Sequence, residues 1–488
     1  MRSGRALRRR VLDGSLRILL AEGLILPTGL ITASVLTHYL GPTKYGLFTL
    51  TSMVVMWIEF CITSFFARTT IKLIGEADDW RPWGANIVRM HLLTGCAAAL
   101  LLWGCSSKLA QLMSEPALTG YLRLLSLDIP VFSLATAHRN ILIGMHKYRE
   151  RALASAGRLM TRLLLMVVLV AWGFSVEGAI WATIGASLFD LSLARLHARA
   201  PLWGAFPVET RQIWHFALPL FLAGISLTIF ERLDLFMLKA LGATAALAGM
   251  YGAAQNLTII PALMGGALAP VLLAALTHAI RDGELSLARE LARDAIRFSI
   301  CLLPFAALIS GCAPAIVALV VGRTFAPAAS FLSLLIFGGF ARLLLAVASA
   351  ALIAANKSGW VLALTAPLVS IAAAAHCVAI PRWGATGASW VTTVLSVLAA
   401  ATSVAMVYTA WNIRPSHMTL ARSAVISGFT YLAAVIWPAI GLMLLIKLAA
   451  ISGLILAAYL GAGEFDKHEI SLLSSLVCPK TPESEGLR

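Results

Sequence analysis

Charged side chains occur inside long apolar runs of this sequence. A charge at the centre of a bilayer costs about 2.5–3.5 kcal/mol on insertion scales, so such residues are expected to face a hydrated cavity or one another. Two groups are candidates for a functional role. The cations are Arg17, Arg162, Arg232 and Arg342, and the carboxylates are Glu22, Glu59, Asp128, Asp190, Glu231 and Asp234.

Position within the runs ranks these charges by depth. At about 1.5 Å per residue, four of them lie within roughly 5 Å of the middle of their runs, namely Glu59, Arg162, Asp190 and Arg342. For each of these, a structural ion pair between neighbouring helices is the alternative to a place in a cavity.

The segment 229–256, IFERLDLFMLKALGATAALAGMYGAAQN, holds three more of the charges. Glu231, Arg232 and Asp234 lie near one end of their run, where a long side chain can reach the interface. We expect local pairing with Lys239 to satisfy this group.

The residue types indicate the chemistry. Guanidinium groups at membrane depth suit an anionic substrate such as a phosphate or diphosphate. Carboxylates in a poorly hydrated cavity take up a proton readily, which suits coupling to H⁺ or Na⁺. The combination predicts a transporter with a central hydrophilic cavity.

Motifs for an enzyme are missing from the sequence. It contains no HExxH, GxSxG or P-loop pattern, and no segment between the apolar runs is long enough for a nucleotide-binding domain. The seven cysteines show no metal-ligand spacing. We therefore expect no enzymatic activity, no metal site and no cofactor.

Composition places the chain in a membrane. Of its 488 residues, 59% are hydrophobic and only 12% are charged, about half the charged fraction of a soluble domain. The net charge of +15 is explained by basic loops on the cytoplasmic side, so no nucleic-acid partner is expected. The fold class predicted is an all-α polytopic membrane protein.

About fourteen apolar runs are long enough to span a bilayer, or twelve if the last two do not cross fully. The first run contains Glu22 and Pro27 and is too long for a signal peptide, so it is expected to remain as a span. The predicted organisation is an N-lobe with spans 1–6 at 1–197, a cytoplasmic connector at 198–214, a C-lobe with spans 7–12 at 215–410, spans 13–14 at 411–460 and a cytoplasmic tail at 461–488.

Basic residues alternate between connections. With both termini cytoplasmic, the loops assigned to the cytoplasm carry most of the Lys and Arg, as in Arg8-Arg9-Arg10 and in the stretch 281–297. This alternation predicts a multi-pass protein with cytoplasmic N- and C-termini.

Two halves of the sequence share short motifs. LGPTKYGLF at 40–48 is similar to LGATAALAGMY at 241–251, and VEGAIWAT at 176–183 to ATGASWVT at 385–392. Because six spans separate the copies, both halves would enter the membrane in the same direction. This predicts a parallel repeat of two six-helix lobes.

These motifs, with LDLFMLKALGATAALAGMYGAA, RDGELSLARELARDAIR and VVGRTFAPAASFLSLLI, resemble the Wzx-type O-antigen and polysaccharide flippases of the MOP superfamily. The resemblance runs over about 16–400. It implies a MATE-like fold, alternating access and movement of undecaprenyl-diphosphate-linked oligosaccharide across the bacterial cytoplasmic (inner) membrane. Asp234 falls where family members often carry an Asp in the seventh span.

The resemblance also implies partners: the lipid-linked glycan, membrane lipids and the polysaccharide polymerase and export machinery. Two alternatives remain open. A cation-coupled multidrug exporter of the same superfamily would use Glu59, Asp128 and Asp190, although fixed positive charge repels cationic drugs. A membrane-embedded glycan polymerase would need a large outer loop, and the longest outward connection is only about 107–120.

Overall fold

A computed structural model describes residues 23–77, 79–201, 226, 228–413, 417–439, 441 and 443–464. Every regular element in these residues is helical. The helices are α1 (Ile25–Glu76), α2 (Arg81–Leu112), α3 (Leu118–Ser126), α4 (Asp128–Gly144), α5 (Tyr148–Leu169), α6 (Ser175–His197), α7 (228–240), α8 (Ala245–Leu257), α9 (Ile259–Arg281), α10 (Leu285–Cys301), α11 (Leu303–Gly311), α12 (Ala313–Val320), α13 (Ala328–Ala354), α14 (Ser358–Trp411), α15 (His417–Ile436) and α16 (Met443–Gly461).

The predicted all-α, multi-pass architecture is confirmed. The described residues contain 10 helical segments that are long and apolar enough to cross a membrane. Three of these segments are 40, 50 and 54 residues long, more than the roughly 20 residues that one crossing needs.

Each long segment changes direction at a glycine. Gly41 in α1 has φ 67°, Gly173 in the π-helical turn between α5 and α6 has φ 92°, and Gly384 in α14 has φ 58°. Pro42 follows the first of them, and a proline removes a donor from the helical ladder. A glycine in the left-handed region can therefore reverse the chain without a loop.

Turns with positive φ recur in the same order in both halves of the chain, at an offset of about 200–210 residues. Gly41, Ser114, His146 and Gly173 match Gly242, Gly322, Asn356 and Gly384. Backbone hydrogen bonds repeat as well: the amide of Lys147 donates to the carbonyl of Leu142 (2.8 Å), and that of Lys357 donates to the carbonyl of Leu352 (2.9 Å). Both helices therefore end in the same type of cap.

Small residues bring α1 and α8 together. A Cβ atom at Gly46 would lie 1.9 Å from the carbonyl oxygen of Ala245, and one at Gly249 would lie 2.2 Å from that of Pro42. Backbones approach this closely only where side chains are absent. We call the end of the bundle that holds this contact, with the turns at 113–117 and 241–244, the Gly46 end.

Candidate site: two polar cavities between the helices

Asp234 is the centre of a buried hydrogen-bond network. Its carboxylate is fully buried and accepts from the Tyr251 hydroxyl at 2.7 Å, the Thr392 hydroxyl at 3.0 Å and the side-chain amide of Gln255 at 2.7 Å. It also accepts from the backbone N–H of Leu235 at 2.8 Å. These contacts join α7, α8 and α14, so the carboxylate fixes three helices relative to one another.

Two of the predicted cations lie beside this network. The Arg232 guanidinium donates to the Gln255 side-chain oxygen at 3.0 Å, and that of Arg342 donates to the Ser396 hydroxyl at 3.5 Å. Both line a cavity of about 110 Å³, together with Asp234 and the exposed Glu231. Four residues that the sequence singled out therefore share one cavity.

A second cavity of about 320 Å³ lies between α1, α5 and α8, and Arg162 and Arg232 both line it. Tyr45 and Asn256 also line it, and the side-chain amide of Asn256 donates to the Tyr45 hydroxyl at 2.9 Å. Arg232 and Asn256 belong to both cavities. The two spaces thus meet at Arg232.

The three cavity cations differ from Arg139 and Lys239, which are ion-paired. Within the part of the chain that the structure describes, no carboxylate lies at ion-pair distance from Arg162, Arg232 or Arg342. A guanidinium with unused N–H groups at membrane depth retains its full capacity to bind an anion.

Arg139 shows the opposite arrangement. Its guanidinium lies 3.4 Å from the carboxylate of Asp190, and the Asp190 side chain is fully buried. The Phe132 ring lies beneath Arg139 at 5.7 Å and beneath Arg158 at 4.7 Å, both within cation–π range. For Asp190, the alternative of a structural ion pair is therefore the one observed.

Asp128 and Glu59 form a second carboxylate site next to this pair. Asp128 is fully buried. Glu59 and Ser187 lie beside its carboxyl group, and Arg158 and Arg162 lie within electrostatic range. Two adjacent carboxyl groups in one buried site favour a state in which one of them is protonated.

The expected pairing of Glu231, Arg232 and Asp234 with Lys239 is wrong. The Lys239 ammonium instead lies 2.9 Å from the Glu115 carboxylate and donates to the carbonyl of Ala243 at 2.8 Å. Lys239 follows Asp234 by five residues, a spacing that does not bring side chains together on a helix. The neutral donors around Asp234 replace the cation that we had expected.

Two of the predicted site residues, Arg17 and Glu22, lie outside the described residues. The cavity lining adds three polar residues that sequence analysis missed, namely Tyr45, Gln255 and Asn256. Ser396 and Thr392, which contact Arg342 and Asp234, were missed as well. These are neutral residues at helical spacing in apolar runs, and nothing in the sequence distinguishes them from packing residues. In the described part of the chain, no cluster of His, Cys, Asp or Glu could hold a metal ion.

Comparison with solved structures identifies the fold. A lipid II flippase MurJ in an inward closed conformation superposes with a TM-score of 0.74 at 10% identity, covering 91% of this chain and 97% of that one. An inward-facing multidrug resistance MATE family transporter of the MOP superfamily gives 0.68 at 15%, covering 79% and 94%. A MOP superfamily transporter from Pyrococcus furiosus gives 0.62 at 13%, covering 83% and 95%.

These similarities confirm a MOP/MATE-like fold. No curated protein matches the sequence. The polysaccharide biosynthesis protein family matches residues 35–330, which is more than half of the chain. This match confirms the family expected from the motifs: the chain is a multi-pass membrane protein that belongs to the polysaccharide biosynthesis protein family.

Proposed function

We propose that this protein is a flippase that moves an oligosaccharide linked to undecaprenyl diphosphate across the bacterial cytoplasmic membrane, as a step in polysaccharide, O-antigen or exopolysaccharide export. It acts by alternating access and has no enzymatic activity. One observation carries the proposal: three arginines line connected cavities, and no carboxylate of the described residues lies at ion-pair distance from any of them.

The diphosphate group of the substrate would be the counterion of the three cavity arginines. An uncompensated cation in a membrane cavity is costly, and its natural counterion is a substrate that carries negative charge. Guanidinium groups bind phosphate oxygens in a bidentate, planar arrangement. Arg162 reaches the shared space from α5, Arg232 from α7 and Arg342 from α13, so a diphosphate between them would contact both halves of the chain.

Membership of the polysaccharide biosynthesis protein family also supports a lipid-linked substrate. Polysaccharide biosynthesis needs sugars that are assembled on a membrane lipid to reach the opposite leaflet, and the MurJ relative in fold is a flippase of lipid II. A lipid-linked glycan has an anionic headgroup and a tail that can remain in the bilayer. Both features suit polar cavities in a helical bundle.

The architecture that we propose has fourteen spans. Each of the three long segments that bend at glycine would contribute two crossings, so the 10 helical segments account for thirteen, and α7 would belong to the fourteenth. The matching turns at Gly41 and Gly242, and at His146 and Asn356, support two six-helix lobes related by a parallel repeat, followed by two C-terminal spans. In this arrangement the N- and C-termini are cytoplasmic and the Gly46 end faces the periplasm.

A cation-coupled multidrug exporter is the second candidate. The buried carboxyl group of Asp128 next to Glu59 is the observation in its favour. The three unneutralised arginines oppose it because they repel cationic drugs. In a flippase the same carboxyl pair would serve coupling to H⁺ or Na⁺.

Complementation tests the proposal. A bacterial strain that lacks its own polysaccharide flippase would express wild type, Arg162→Ala, Arg342→Ala or Arg281→Ala at matched membrane levels. Arg281 is 71% exposed and pairs with Asp282, which makes it the control. We expect surface glycan with wild type and Arg281→Ala, and its loss with either cavity variant. Glycan restored by all four would refute the cationic site, and drug efflux by wild type without glycan would favour the exporter.

A further inference from the structure

Gln255 separates two charges that are close in sequence. Arg232 and Asp234 both lie in α7, two residues apart, a spacing at which helical side chains do not face each other. Gln255 of α8 contacts both: its amide nitrogen is 2.7 Å from Asp234 Oδ1, and its amide oxygen is 3.0 Å from Arg232 Nη1. The amide thus forms a bridge between the cation and the carboxylate.

The orientation of this bridge follows from its partners. A carboxylate can only accept hydrogen bonds and a guanidinium can only donate them. The Gln255 NH₂ must therefore face Asp234, and its carbonyl must face Arg232. Reversing the amide would break both contacts at once, so the network permits one arrangement.

Asp234 is a rigid anchor for the bridge. Tyr251 and Thr392 occupy its second oxygen, and the backbone N–H of Leu235 shares the first with Gln255. With donors from three helices, the carboxylate has no freedom to rotate towards Arg232. Its negative charge holds Gln255, and the Gln255 carbonyl in turn holds the guanidinium.

The Arg139–Asp190 pair is the contrasting arrangement. There the guanidinium lies 3.4 Å from a buried carboxylate, and the two charges neutralise each other. Arg232 is held in place by a neutral carbonyl, so its charge and its other N–H groups remain directed at the two cavities that it lines.

We propose that Gln255 is a positioning residue for anion binding: it fixes Arg232 at the junction of the two cavities through a neutral carbonyl. This inference rests on the proposed function, because it takes the anion to be the diphosphate of the lipid-linked substrate. It predicts that the pattern of charge along Asp234, Gln255 and Arg232 matters, and not the presence of polar groups alone.

A charge at position 255 tests this role. Gln255→Glu places two carboxylates side by side and lets the new carboxylate ion-pair Arg232, which neutralises the cation at the junction of the two cavities.

The readout is the dissociation constant of farnesyl diphosphate, with inorganic pyrophosphate as the tail-free probe, for the purified full-length chain in nanodiscs. Gln255→Glu should bind at least about tenfold more weakly, since the Arg232 guanidinium is then paired within the chain and no longer donates charge-assisted hydrogen bonds to the anion. A purely structural role predicts a lower unfolding temperature without a loss of affinity in the folded protein.

Gln255→Met provides a second test that adds no charge. It has a similar volume and removes the bridge, so Arg232 loses the carbonyl that holds it at the junction of the two cavities, and we expect about tenfold weaker binding by the folded protein. The control is Gln111→Met, at an exposed position of α2.

The outcomes separate the two proposals. Wild type that binds neither probe would overturn the proposed function and this inference with it. Wild type that binds, with binding lost in Arg232→Ala but unchanged in Gln255→Met, would overturn the role of Gln255 alone. Gln255→Glu that is folded and binds either probe as tightly as wild type would also overturn it.

Discussion

Lys239 and Glu115 form an ion pair of 2.9 Å between residues 124 positions apart in the sequence. Lys239 is 3% exposed and ends α7, whereas Glu115 is 24% exposed and lies in the turn after α2. The pair connects the two halves of the chain at the Gly46 end, next to the close contact of α1 with α8. Any motion that opens this end must break it.

The exposure of the two partners predicts unequal effects of their removal. Glu115→Leu leaves a buried ammonium without a carboxylate and should lower the free energy of unfolding by about 2 kcal/mol or more, whereas Lys239→Met leaves a carboxylate that water can reach and should cost less than about 1 kcal/mol. Thermal unfolding of the purified protein measures both. Equal losses, or a larger loss for Lys239→Met, would show that the pair does not hold this end closed.

The contact between α1 and α8 predicts intolerance at one glycine. In Gly46→Ala the new Cβ would lie 1.9 Å from the backbone oxygen of Ala245, so the helices must separate. We expect a loss of about 1–3 kcal/mol in unfolding free energy together with reduced transport. Gly104→Ala in α2 is the matched control, because a Cβ there meets nothing within 4 Å. A Gly46 variant as stable and as active as the Gly104 variant would refute the close approach.

The Arg139–Asp190 pair predicts rescue by apolar residues. Asp190→Leu leaves Arg139, 15% exposed, without its counterion and should destabilise the protein by about 3 kcal/mol. Arg139→Met/Asp190→Leu removes both charges and should recover most of that loss, since an apolar pair needs no desolvation of ions. The unfolding temperatures of wild type, Asp190→Leu and the double variant measure this recovery. A double variant that is less stable than Asp190→Leu would contradict it.

The sequence alone indicated which charges lie in apolar runs, but it did not indicate which residues they contact. Arg342 and Asp234 were recognisable because a charge in an apolar run is rare and costly. The contact of Asp234 with Thr392 spans 158 residues, and that of Asn256 with Tyr45 spans 211. Such contacts depend on which helices pack together, and the apolar periodicity of a single sequence does not specify that.

The sequence predicted the fold better than it predicted the contacts of the candidate site. Long apolar runs and the repeated Leu-Gly turns predicted helical spans, and Gly41 and Gly242 do mark bends with positive φ. Gln255 was missed because a neutral side chain in α8 carries no signal of its own. Its importance appears only when the distances to Arg232 and Asp234 are known.

The most direct test of the central claim is flipping in reconstituted vesicles. Proteoliposomes would contain an undecaprenyl-diphosphate-linked oligosaccharide, and a membrane-impermeant lectin would report its arrival at the outer leaflet. Wild type and Arg281→Ala should flip the lipid, whereas Arg162→Ala, Arg232→Ala and Arg342→Ala should each be at least about tenfold slower, because each loses a charge-assisted contact with the diphosphate. Flipping at the wild-type rate in all three cavity variants would contradict the account.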